Sequence, residues 1–153
     1  MKHEIYLLPE DRAYAIARIE ELERQIQDLG PDFNDAFTQS SETWHDNSPF
    51  EAIRDKQAML AAELHKLRSL IRSSVLVMPK KERGTIGIGD TVTLSNGARY
   101  CIAGDWTPLA GQCSDGVTRV SRYAPLAVVL IGERPGATVR VANKNLGIIN
   151  VEA

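Results

Sequence analysis

From Ala15 onward the apolar positions fall at Ala15, Ile19, Leu22, Ile26, Leu29, Phe33 and Ala36. Steps of four and three alternate, which is the a/d seam of a coiled coil. Pro9 followed by Glu10 and Asp11 suits a helix start, with acids at the positive end of the dipole. Glu20 and Arg24 stand one turn apart as a favourable pair. Gly30-Pro31 interrupts the pattern and predicts a kink, because Pro31 has no amide hydrogen to donate. A second seam runs through Phe50, Ile53, Gln57, Leu60, Leu64, Leu67 and Ile71, opened by Ser48-Pro49 as cap and first helical residue. Between the seams lies a polar stretch without periodicity. The pattern predicts a helical hairpin with its tip near residues 40–47 and arms roughly 40 Å long at 1.5 Å per residue. It also fits a helical pair packed on a larger core or on a twin.

Past Val75 the helical period is lost, and Pro79 with Lys80-Lys81 marks a linker over about 78–84. Short alternating segments follow. Thr91–Leu94 and Arg99–Ile102 flank a turn at Asn96-Gly97, and Asp115-Gly116 precedes Val117–Val120. Pro125 and Gly132 bracket a helix of about two turns. Pro135-Gly136 turns into Ala137–Val141, and Ile148–Val151 closes the chain. The predicted fold is α+β: an antiparallel coiled-coil hairpin over 1–78, then a small antiparallel β domain over 79–153. Roughly 70 residues can fold alone.

Charge changes the picture. The chain sums to −2, which excludes a uniformly basic nucleic-acid-binding domain. Residues 1–51 are strongly acidic, 52–83 are basic and 84–153 are nearly balanced. Arg54, Lys56, Lys66, Arg68 and Arg72 give the second arm a basic outer face, suited either to solvation and pairing with the first arm or to guidance into a phosphate-rich site. The longest apolar run, Leu126 to Ile131, is far short of the ~20 residues of a membrane span. Met1-Lys2-His3-Glu4 reaches an acid at once, so no signal peptide is expected. Two cysteines, Cys101 and Cys113, fit a reducing cytoplasm and read as small core residues; whether they pair is open.

Catalytic chemistry is scarce. Gly84, Gly87 and Gly89 lack the Lys-Ser/Thr of a phosphate loop and read as turn glycines. His3 and His65 are scattered. His45 is different: it lies with Thr43, Trp44, Asp46 and Asn47 at the tip, beside Glu42. Acids on a loop ordinarily serve solvation, but hard oxygen ligands at the end of a finger are also what delivering Mg²⁺ to another protein's active site requires. The chain carries no catalytic set of its own.

Two stretches resemble a known family. Asp46-Asn47-Ser48-Pro49-Phe50-Glu51-Ala52-Ile53-Arg54-Asp55 is similar to the tip and second-helix start of the Gre transcript-cleavage factors of bacterial RNA polymerase. Val120-Ser121-Arg122-Tyr123-Ala124-Pro125-Leu126-Ala127-Val128-Val129-Leu130-Ile131-Gly132 resembles that family's leucine-rich segment, with Ala124 where Ser is usual. The resemblance implies an FKBP-like β domain that docks at the polymerase secondary channel through Ser121, Ala124 and Pro125. It also implies a monomeric, cytoplasmic accessory factor whose partners are the polymerase and nascent RNA, with no membrane and no cofactor bound alone. Its tip acids, Glu42 and Asp46, would share a Mg²⁺ with the polymerase active site. Family members space these acids three apart, whereas here Thr43 takes that position and Glu42 lies four before Asp46. The shift favours channel occupancy over cleavage. Competing readings are an FKBP-like prolyl isomerase or chaperone with a helical arm, and a coiled-coil dimer scaffold. Few aromatics in the β half argue against the isomerase.

Overall fold

The computed structural model describes residues 4–42, 48–75 and 77–153, with the backbone alone described for 32–42 and 48–50. Its contacts divide into two compact units, Ala13–Arg72 and a second made of Met1–Arg12 with Ser73–Ala153.

Helix α1 spans Pro9–Glu42 and α2 spans Ser48–Ser73. Glu10 and Asp11 sit in the first turn of α1, and the helix continues through Pro31. The first seam is deepest at every seventh residue: Ala15 and Leu22 are fully buried and Leu29 nearly so, while Ile19 and Ile26 are half-buried. On α2, Leu64 and Leu67 are buried and Ile53, Leu60 and Ile71 half-buried. Gln57 departs from the predicted seam and is exposed, because an amide gains nothing from an apolar stripe and keeps its water. Side chains tie the two helices together. Arg18 makes a forked contact to Glu63, Nε to Oε1 at 3.0 Å and Nη2 to Oε2 at 2.9 Å, and Arg68 Nη2 donates to Glu23 Oε1 at 2.7 Å.

The second unit has a six-stranded sheet in the order β5-β6-β4-β3-β8-β7. Its strands are β3 Thr91–Leu94, β4 Arg99–Ile102, β5 Cys113–Ser114, β6 Val117–Val120, β7 Thr138–Val141 and β8 Lys144–Glu152. Helix α3, Pro125–Leu130, covers it. Strands β1 Ile5–Tyr6 and β2 Ser74–Val75 form a separate parallel pair. Ile86, Val92, Leu94, Ile102, Ala127, Leu130, Val139 and Ile148 build one core, each large side chain contributing about 1.5–3 kcal/mol by burial.

The predicted antiparallel sheet is corrected on one point: β4 and β6 run parallel. The connection between them is a long crossover through β5, and only such a crossover returns a strand in the same direction. Two of the tight turns place consecutive residues in the left-handed region. Asp115 and Gly116, at φ 53 and 77, join β5 to β6. Ala142 and Asn143, at φ 51 and 65, join β7 to β8, although alanine pays sterically for that region.

Candidate functional site

The segment Ser121–Gly132 is shaped by its own sequence. Ser121 Oγ accepts from Tyr123 N at 3.2 Å and Ser121 O from Ala124 N at 3.0 Å, turning the chain. Ala124 is the N-cap of α3 and offers no side-chain cap, so Pro125 at the first helical position starts the helix. Gly132 ends it at φ 89, where its N donates to Ile86 O at 2.9 Å. Ala127 and Leu130 are fully buried. On the outward side stand exposed Pro125, Tyr123, Val128 and Ile131, the two middle ones each 62% exposed. Pro125 and Val128 lie on α3, with Tyr123 just before it and Ile131 just after it.

Beside this face Asp105 organises a polar cluster. Its Oδ2 accepts from Tyr6 N at 2.7 Å, and its own N donates to Tyr6 O at 2.7 Å. Tyr123 donates its hydroxyl to Asp105 Oδ1, and that hydrogen bond pushes the phenol above its ordinary pKa. Arg122 lies over the Tyr6 ring at 5.8 Å and the Tyr123 ring at 5.0 Å. A cleft of about 600 Å³ opens between Tyr6, the 78–88 strap, Arg122 and Ile131. The strap is held by Lys81, which binds the Asp90 carboxylate and donates to Thr85 O at 2.8 Å, and by Gly87 N to Asp90 Oδ2 at 2.8 Å. A side chain at Gly87 would come within 2.6 Å of Lys81 Cδ. That contact accounts for Gly87, while Gly84 and Gly89 sit at φ 85 and 93 as turn residues.

A third group fixes the start of α1 to the sheet. Arg119 Nη2 donates to Glu10 Oε1 at 2.9 Å and Nη1 to Asp11 Oδ2 at 3.2 Å, and Thr107 donates to Asp11 Oδ1 at 3.1 Å. Asp11 is 1% exposed, and burial pushes its carboxyl above the ordinary value despite Arg119. These residues are an anchor.

The structure brings Ser121, Ala124 and Pro125 together, with Ser121 and Ala124 half-buried and Pro125 exposed. Arg54, Lys56, Lys66, Arg68 and Arg72 are all exposed, and Arg68 is already paired with Glu23. Thr43, Trp44, His45, Asp46 and Asn47 lie outside the described residues, and Glu42 is placed by backbone alone. His3 also lies outside them, and His65 is exposed. Among the described residues no group of three His, Cys, Asp or Glu side chains could hold a metal ion. The core reading of the cysteines is corrected for Cys113, which is exposed because β5 is a short edge strand; Cys101 is half-buried, and both thiols are free. No local pattern in the sequence marks Asp105 or Tyr6, and Asp11 reads there as a helix-start acid rather than as a partner of Arg119. Val128 and Ile131, three apart and opposite buried Ala127 and Leu130, were the available signal for the exposed face.

No family model matches the chain. In sequence it is similar to transcription elongation factor GreA of Staphylococcus epidermidis, 25% identical over 112 residues that cover 70% of this chain and 68% of the relative. It is 31% identical to GreA of Bacillus anthracis over 104 residues, covering 63% of this chain and 61% of the relative. Among solved structures, GreA factor homolog 1 (Gfh1) of Thermus thermophilus aligns over 99% of this chain and all of that one, at 18% identity and a TM-score of 0.45.

Proposed function

We propose that the chain, which is similar in sequence to the GreA transcription elongation factors, is a Gre-like factor that regulates transcription elongation by binding bacterial RNA polymerase. In this reading it is a monomeric, cytoplasmic accessory factor. Its β unit, read as FKBP-like, docks through Ser121, Ala124 and Pro125 and the exposed apolar face of α3. The hairpin enters the secondary channel beside nascent RNA, and the basic arm guides it there. The observation that carries the reading is the sequence relationship to GreA over 70% of this chain. The exposed Tyr123, Val128 and Ile131 supply a surface on which docking can act.

At the tip, Glu42 and Asp46 are hard oxygen donors and would serve as ligands to a Mg²⁺ shared with the polymerase. Two carboxylates complete a site only when other ligands come from the partner. The metal's role would be to orient and activate the water that attacks the 3′ end of backtracked RNA. The spacing of the acids favours occupancy of the channel over efficient cleavage, since Mg²⁺ demands near-ideal octahedral placement.

The test uses halted, backtracked elongation complexes with the full chain added. Occupancy predicts unshortened RNA together with competition against an active cleavage factor. Rapid shortening abolished by Asp46→Asn would instead make this a cleavage factor. Pro125→Glu should weaken binding about tenfold or more by placing a charge in the docking face. A chain that fails to bind polymerase overturns the proposal.

A further inference from the structure

We propose that the cleft between Tyr6, the 78–88 strap and Arg122 binds a small organic anion with a flat apolar body, whose carboxylate or phosphate is taken by the Arg122 guanidinium. Arg122 lacks a full set of hydrogen-bond partners among the described residues. Each Asp105 oxygen already accepts one hydrogen bond, Oδ2 from Tyr6 N and Oδ1 from the Tyr123 hydroxyl. Arg122 reaches Asp105 Oδ1 only at 3.6 Å, beyond hydrogen-bond length, and this is its ion pair among the described residues. A guanidinium carries five N–H donors in a planar fork. Here its central carbon lies over two tyrosine rings, 5.8 Å and 5.0 Å from their centroids, while its side chain keeps 30% of its exposure. An accessible and incompletely satisfied guanidinium is a receptor for a planar carboxylate or a phosphate.

The cleft supplies the rest. About 600 Å³ lies within the range of small-ligand sites, roughly 300–1,000 Å³. Met78, Pro79, Ile88 and Ile131 give it apolar walls beside the Tyr6 ring. Of the other charged lining residues, Lys81 is neutralised by Asp90, and Glu82 is engaged by Arg134 at 3.1 Å. Lys80 adds a positive charge that no described acid answers, so the lining favours anions. The walls are in place before any ligand arrives. Ile86 N donates to Glu133 O at 2.9 Å, and Tyr6 is bonded to Asp105 through both its N and its O.

The experiment titrates the full chain, with no polymerase present, against 1-naphthyl phosphate, 1-naphthoate and neutral 1-naphthol, following backbone amide shifts by NMR. The expected result is shifts at Tyr6, Met78, Ile88 and Ile131, with at least one anion binding about tenfold or more tighter than naphthol. Arg122→Met should bring that anion to the naphthol level, and Arg122→Lys should restore only part of the difference, because the charge returns without the fork. The phosphate and carboxylate arms tell which head group is preferred. Equal affinity for anions and naphthol overturns the proposal, as does unchanged anion affinity in both Arg122→Met and Lys80→Gln. Shifts confined to other parts of the chain do the same. Because polymerase is absent, failure here leaves the docking proposal standing.

Discussion

The two units of this chain are stabilised in different ways. In the sheet unit a cluster from Ile86 through Ile148 meets in one core, with Leu94, Ile102 and Leu130 fully buried. In the helical unit, among the described residues, burial is confined to a narrow stripe, and surface ion pairs of Arg18 with Glu63 and Arg68 with Glu23 add ties between the helices. Their carboxylates are perturbed in opposite directions. Burial raises Asp11 in the sheet unit, whereas the hydrogen bond from Arg18 lowers Glu63 in the hairpin. The sheet unit, with a core shared by several strands and a helix, relies on packing. The two-helix unit, with little interior to fill, relies on periodicity and charge.

The contrast should break first in the core. Leu94→Ala or Ile102→Ala should destabilise the sheet unit by about 2–5 kcal/mol, read as a fall in denaturant midpoint with the slope unchanged. A loss below ~1 kcal/mol would show a loosely packed interior. Next comes Gly104, where an added Cβ would lie 2.0 Å from Tyr6 O. Gly104→Ala should cost about 1–3 kcal/mol and deprotect the Asp105 amide, which donates to Tyr6 O, in hydrogen exchange. The strained turn offers a gain: Ala142→Gly should stabilise by up to about 1 kcal/mol, because glycine adopts φ 51 without penalty. Unchanged or lower stability would deny that the turn is strained.

Acidity sharpens the comparison further. The folded state holds the Asp11 proton longer than the unfolded chain, so this group's contribution is complete below about 3.8 and is lost as pH rises through the raised folded value. Glu63 behaves oppositely. Its contribution is present above about 4.5 and is lost as pH falls through the lowered folded value. Stability followed across acidic pH should therefore lose its falling limb in Asp11→Asn and its acid-side loss in Glu63→Gln. Two variants with identical profiles would refute the assignment. The smallest effect belongs to the exposed Arg68–Glu23 pair, whose double-mutant coupling should be about 0.2–1 kcal/mol and shrink with salt.

Much of this architecture is local and therefore legible in sequence. The seams, the Asn96-Gly97 hairpin and the Pro125-to-Gly132 helix are each written by neighbours within one or two turns. What escaped is set by residues distant along the chain. Two residues at Ile5–Tyr6 are too few to carry a strand pattern, yet β2 pairs with them. The parallel β4–β6 register depends on a crossover whose path no local signal records. Arg119 meets Glu10 and Asp11 from the far end of the chain. At the candidate site the segment itself was readable from Ser121 and Pro125, but the Asp105 cluster beside Arg122 was not, because it joins Tyr6, Asp105 and Tyr123 from three separate stretches of the chain.

The pairing of β1 with β2 also sets an order of assembly. A ribosome releases Ile5 and Tyr6 before the entire hairpin, and their partners Ser74 and Val75 follow only after it. At roughly 5–20 residues per second, the first strand waits for several seconds with no sheet to join. Leu7 and Leu8, which end almost fully buried, spend that interval in water. The nascent chain thus carries an unpaired apolar segment while its hairpin is already able to form. A segment made before the hairpin is sealed only after it.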